Sequence, residues 1–212
     1  MTGAAGPAPE RRTIMDKYLF MKPVLDALAD GAFFRKQFAL CVRIGAVVAA
    51  VAGLVGFVNA WNFTAQLDAG RIPGGILYML FLAAAAYMAV HTLLLRAKDI
   101  DTLPRTGFTL LPLASVVALM LGEAYAAACA ALAAGGGILV WFNGDYAYSI
   151  LQRVDFFLPP LGGGTFMAGV LLILRGALRA VVALSAGHLL AELFIVVERL
   201  GGNARLAPPG SE

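Results

Sequence analysis

Charge is scarce in this chain: 14% of its 212 residues are Asp, Glu, Lys or Arg, against ~25% in soluble globular proteins. That shortage excludes a soluble domain of this size, because a small globule exposes much of its surface and needs polar side chains to cover it. Cysteine is nearly missing. Cys41 and Cys129 stand far apart with no CxxC pair, which excludes a disulfide-stapled secreted scaffold and a thiolate metal centre. His91 and His188 are the only histidines, too few for a zinc site without other ligands close by, and no HExxH, P-loop or GxSxG string occurs. The net charge of only +3 argues against a strongly basic nucleic-acid binder. The expectation is a chain with no metal, no cofactor, no nucleic-acid partner and no catalytic residues.

What the chain has is apolar surface. Sixty per cent of it is Ala, Val, Ile, Leu, Met, Phe, Trp, Tyr or Cys, and the mean hydropathy is +0.81. A bilayer core of ~30 Å is crossed by about 20 apolar residues in a helix. Charge-free runs cover 44–67 and 72–95. The first extends backwards past Arg43 to Phe38, so spans are expected at about 38–63 and 74–95. A third is expected at about 108–134 with Glu123 inside it, and a fourth at about 165–200 interrupted by Arg175, Arg179, His188, Glu192 and Glu198. The fold expected is therefore an all-α integral membrane protein, a four-transmembrane-helix bundle over 38–200.

Residues 1–14 and 201–212 are polar or breaker-rich and are expected to be disordered tails. No basic n-region leads into a short apolar h-region, so a cleaved signal peptide is not expected. Between Met15 and Lys36 apolar residues recur at helical spacing among Asp16, Lys17, Lys22, Asp26 and Asp30. Segment 15–37 reads as an amphipathic interfacial helix, or equally as an ordinary juxtamembrane helix.

Lys and Arg concentrate before span one, between spans two and three, and after span four, whereas the other two loops carry only Arg71 and Arg153. By the positive-inside rule both termini face the cytoplasm, and Trp61, Trp141, Tyr146 and Tyr148 then fall in an outer aromatic belt. A bacterial cytoplasmic membrane is the expected location. The third loop opens with Gly135-Gly136-Gly137 and closes with Pro159-Pro160 and Gly162-Gly163-Gly164. Segment 138–161 reads as an outer-face interfacial element hinged by glycine, with a re-entrant element as the sharper alternative.

Charges within spans are expensive in lipid and so carry the chemistry. Measured from span ends at Ala134 and Thr165, Glu123 lies ~17 Å deep and Arg175 ~15 Å deep. They are expected at one level, with Arg179 a turn deeper, as an intramembrane polar cluster. Arg43, His91, His188 and Glu192 would form a second cluster toward the cytoplasm, His188 and Glu192 sharing a helix face. Either these residues pair to set register and assembly, or they form a path for protons or an anion. Small residues repeat every four positions at Gly45, Ala49 and Gly53, at Gly122, Ala126, Ala130 and Ala134, and at Gly176–Ala180 and Ala183–Gly187–Ala191. Such stripes permit close helix approach. The abundance of Ala makes the stripe in span three the least specific and that in span one the more specific.

The functional expectation is a non-catalytic structural or accessory subunit of a membrane assembly, its partners being the bilayer and either copies of itself or a larger membrane complex. The alternative is a small ion- or proton-coupled transporter or channel subunit that uses Glu123, Arg175 and Arg179. A lipid-directed enzyme with His91 or His188 as base is a third and weaker reading.

Overall fold

The computed structural model describes residues 32–103, 110–154 and 165–206. They form four helices: α1 (Ala32–Thr64), α2 (Ile72–Thr102), α3 (Leu110–Val154) and α4 (Thr165–Leu206). All four are long and apolar enough to cross a membrane. Helix is the form such runs must take, since it satisfies every backbone N–H and C=O within the segment. Segments 1–14 and 207–212, and most of 15–37, lie outside the described residues, but 32–37 continue into α1 without a break.

Local chemistry sets the ends. The Arg71 N–H donates to the Asp68 carbonyl at 2.8 Å in the tight connection after α1. Pro73 then sits in the first turn of α2, where its missing N–H has no partner to lose. At the far end Leu103 turns extended, with φ −54° and ψ 136°, as expected of the residue before a proline, here Pro104.

α1 begins at Ala32 rather than at 38 and α4 runs to Leu206 rather than 200, so that 201–206, expected as tail, are helical; two further limits bear on the site. α2 runs to Thr102 rather than Leu95, so Arg96, Asp99 and Asp101 occupy its last two turns. α3 continues unbroken through Gly135, Gly136 and Gly137, and its break falls at Gly144, with φ 63° and ψ −146°. Only glycine occupies that backbone region readily. The triplet is not a hinge, because two of its glycines are spent on close contact: Gly135 lies under Phe81 and Tyr78, and Gly137 against Gly169 and Ile173. The glycines and prolines of 155–164 lie outside the described residues.

Each helix packs on its neighbour in sequence, and substantial contact is confined to α1–α2, α2–α3 and α3–α4. Among the described residues the four helices therefore form an open array, with no substantial packing between α1 and α4. No single core runs through it. One apolar cluster joins Ala39, Val42, Ala97, Ile100, Leu113 and Met120 at one end. Another joins Leu139, Val140, Ala147, Ala168 and Leu172 at the other. Large apolar residues face outward elsewhere, among them Val47, Val51 and Leu54 on α1 and Leu174, Leu178 and Val182 on α4. Outward apolar faces are the reverse of a soluble protein and suit a lipid solvent.

Close backbone approach sets the register between helices. Gly53 packs on Ala86 and Gly56 on Leu82, so these are the α1 glycines in the α1–α2 contact, while Gly45 has nothing within 4 Å. The tighter seam is α3–α4. A methyl on Gly122 would lie 2.8 Å from the Ala183 carbonyl oxygen, one on Gly187 2.9 Å from that of Ala118, and Gly176 is pressed on Ala133. Ala180 and Ala191 are buried along the same line, whereas Ala130 of the span-three stripe faces outward. Contrary to the weight given to span one from sequence, the small residues of the last two helices form the closest contact.

Gly187→Leu is expected to lower stability by about 1–3 kcal/mol, because the obstructing atom is backbone and cannot move aside. Gly45→Leu, into open space, is the control. Thermal midpoints in detergent should fall for the first and hold for the second.

Candidate functional site

The side chains with most chemistry converge where α1 begins, α2 ends and α3 begins. Arg96, near the end of α2, holds Glu123 of α3 through two parallel bonds: Nε donates to Oε2 at 2.9 Å and Nη2 to Oε1. Its remaining Nη1 donates to Asp99 Oδ2 at 3.0 Å, one turn along. Such a fork matches guanidinium to carboxylate geometry and is stronger than a single-point contact. The Arg96 and Glu123 side chains are each 26% exposed, so the pair is partly withdrawn from solvent.

Two further arginines tie α1 to the same end. Arg43 donates from Nη2 to Asp101 Oδ2. Arg35, buried at 7% exposure, donates to the Leu103 carbonyl just past α2. A cation there satisfies an orphan carbonyl and complements the negative end of the helix dipole. Among the described residues, Arg35, Arg43 and Arg96 thus link α1, α2 and α3 at one end through Asp99, Asp101, Glu123 and a backbone oxygen.

This arrangement is suited to clamping. Arginine does not give up its proton in a protein, so Glu123 could take part in proton transfer only by leaving its fork. Among the described residues, no three His, Cys, Asp or Glu side chains group as metal ligands would.

The structure does not join Glu123 to Arg175. Gly122 packs on Ala183 and Gly187, and Gly176 on Ala133 and Cys129, so Glu123 and Arg175 stand about nine residues apart along the α3–α4 seam, roughly 13 Å at the helical rise. The reason lies in the helix limit. The expected common level takes Ala134 as the end of the span, whereas α3 continues ten residues further, to its break at Gly144. Arg175 and Arg179 are both half-buried on α4, one turn apart.

The expected group of Arg43, His91, His188 and Glu192 is not assembled either, since α1 and α4 do not pack together. Arg43 is held by Asp101. His91 stacks on Tyr87, one turn back on its own helix, with ring centroids 5.6 Å apart. His188 donates from Nδ1 to the Leu184 carbonyl of its own helix at 2.9 Å, and Glu192 faces outward.

The charge-free run alone does not point to Arg96, Asp99, Asp101 or Arg35, because it ends at Leu95 and the acids that follow fall outside it. A signal existed. Arg96 and Asp99 are spaced i,i+3, and the first helix breaker after Arg96 is Pro104, so the run from Arg96 to Thr102 can continue the helix.

Removing Arg96 leaves Glu123 without its fork, and removing Glu123 leaves Arg96 with Asp99 only. Arg96→Ala and Glu123→Ala should each destabilise the chain by about 1–2 kcal/mol, and the double variant by clearly less than their sum. Unfolding of all four proteins in one detergent measures that coupling, and strict additivity would show the fork to be idle. No protein-family model matches this chain, nor does any curated protein or solved structure.

Proposed function

We propose that this chain is a non-catalytic structural or accessory subunit of a multi-pass membrane assembly. One observation carries the reading: among the described residues α4 packs chiefly on α3, along a seam of small residues, while its other sides present Leu174, Leu178, Val182 and Leu193 outward. An open array of this kind offers apolar helix faces to further transmembrane helices, and small-residue seams are how such helices associate. The charge chemistry is consistent with that role, because Glu123 is neutralised inside the chain by Arg96.

In the same reading the end carrying Arg35, Arg43 and Arg96 faces the cytoplasm, with both termini on that side, by the distribution of Lys and Arg between the connections. Segment 15–37 would lie along that surface up to the start of α1, its apolar residues dipping into the headgroups. The membrane is taken to be a bacterial cytoplasmic one. The transport alternative called for Glu123 and Arg175 to share a level, and their separation along α3–α4 removes the acid from that site.

In mild detergent or nanodiscs, native mass measurement is expected to find a particle larger than one 22.2 kDa chain. A clean monomer with no copurifying protein would count against the proposal. Proteoliposomes containing the chain should show proton flux no greater than empty vesicles, and flux abolished by Glu123→Gln would favour the transporter instead.

A further inference from the structure

Arg175 is half-buried and, among the described residues, forms no hydrogen bond or ion pair. Its level follows from its neighbour. Gly176 is pressed against Ala133, at the centre of the charge-free run 124–144 of α3. Through α3 the level passes to α2, where Tyr78 and Phe81 meet Gly135, and through α2 to α1, where Leu82 meets Gly56 and Ala86 meets Gly53. These contacts lie near the middles of the charge-free runs 72–95 and 44–67. Arg175 therefore stands about ten residues, roughly 15 Å, from either end of the apolar layer. That is farther than an arginine side chain extends, so it cannot reach water by snorkelling.

We infer that Arg175 is the docking point for a transmembrane helix of a different protein that carries a carboxylate, Asp or Glu, at the middle of its span. This rests on the membrane-subunit reading above and names the partner's chemistry. A cation at the centre of the bilayer is costly unless paired, and the pairing group must be an anion at the same depth. A second copy of this chain does not supply one. The middles of α1, α2 and α3 are charge-free, and α4 has no acid from Thr165 to Ala191, so neither a parallel nor an antiparallel copy brings a carboxylate to this level. Lipid phosphates lie at the bilayer surfaces, well away from its centre. A dissolved anion would need an aqueous route, but the outward residues around Arg175 are Leu171, Leu174 and Leu178. A helix can arrive through lipid, cover those leucines and pair its acid with the guanidinium.

The test uses the full chain in phosphatidylcholine vesicles, with a donor dye on the exposed Cys41. The probes are acceptor-labelled polyleucine helices of ~20 residues, carrying at their centre Glu, Gln or Leu, or carrying Glu one turn from an end. Energy transfer is expected to show the central-Glu helix binding on the order of tenfold more tightly than the all-Leu helix. That advantage should vanish in Arg175→Leu and persist in part in Arg175→Lys. Equal binding of the central-Glu and all-Leu helices, an advantage that survives Arg175→Leu, or an end-placed Glu that works as well would each overturn the inference. So would a gain that appears only with phosphatidylglycerol in the vesicles and not with the acid in the peptide.

The thermal midpoint of Arg175→Leu in detergent should equal or exceed that of the parent, since no internal pair is lost, and a clear fall would assign Arg175 an internal role and overturn the proposal. Native mass separates the two levels of failure. A multi-chain particle unaltered by Arg175→Leu leaves the subunit reading standing and removes this one, whereas a solitary chain removes the subunit reading itself.

Discussion

Between two apolar helices in lipid there is no hydrophobic force to drive contact, so association depends on how closely the backbones approach and how well their surfaces fit. In this chain that constraint is met along α3–α4, where Gly122, Gly137, Gly169, Gly176 and Gly187 bring backbone against backbone or side chain. Such a seam fixes the axial position of one helix against the other, because a slide would drive methyl groups into carbonyl oxygens. Every charge on α4 takes its depth from that register. Arg175 is held level with the centre of its neighbours, and Glu123 is set about two and a half turns away.

Electrostatics acts at a different place from packing. Ion pairs gather at one end, where Arg43 meets Asp101 and Arg96 meets Asp99 and Glu123. Near the end of the apolar layer the groups are partly solvated, which lowers the cost of holding them, while the low dielectric beside them strengthens the pairing. The fork to Glu123 joins α2 to α3, and Arg35 and Arg43 join α1 to α2. α4 stands outside this group of ion pairs; it is joined to α3 along the seam of small residues and by the Trp141 Nε1–H, which donates to the Phe166 carbonyl at 2.9 Å. The resulting division is a three-helix unit clamped by charge at one end and a fourth helix whose register is set by close packing on α3.

Much of this was legible in the sequence, and the failures share a cause. Four helices long and apolar enough to span follow from long apolar runs with few charges, a one-dimensional property. The end of α3 was not legible: three consecutive glycines read as a flexible connector, yet the helix passes through Gly135–Gly137 because neighbouring helices press on them. Misplacing that end by ten residues was enough to bring Glu123 and Arg175 to one level on paper. The charges after Leu95 likewise resemble a loop, yet helical spacing carries Arg96 and Asp99 into the last turns of α2. Glycine spacing pointed to close contacts in general but not to which stripe would be closest, since Gly45 meets nothing and Gly187 meets backbone.

The sequence by itself determined that four segments are long and apolar enough to cross a membrane. A backbone in such a layer must close its own hydrogen bonds, as a helix does. It also determined which residues would matter, since few charges are present and those inside apolar runs are conspicuous. Only the tertiary structure decided how they pair. A charge on one helix meets a charge on another only if their axial levels agree, and those levels are set by side-chain volumes at a handful of contacts between helices. That information is distributed over pairs of residues far apart in the chain, which is why Glu123 belongs to Arg96 and why Arg175, half-buried on α4, stands away from it.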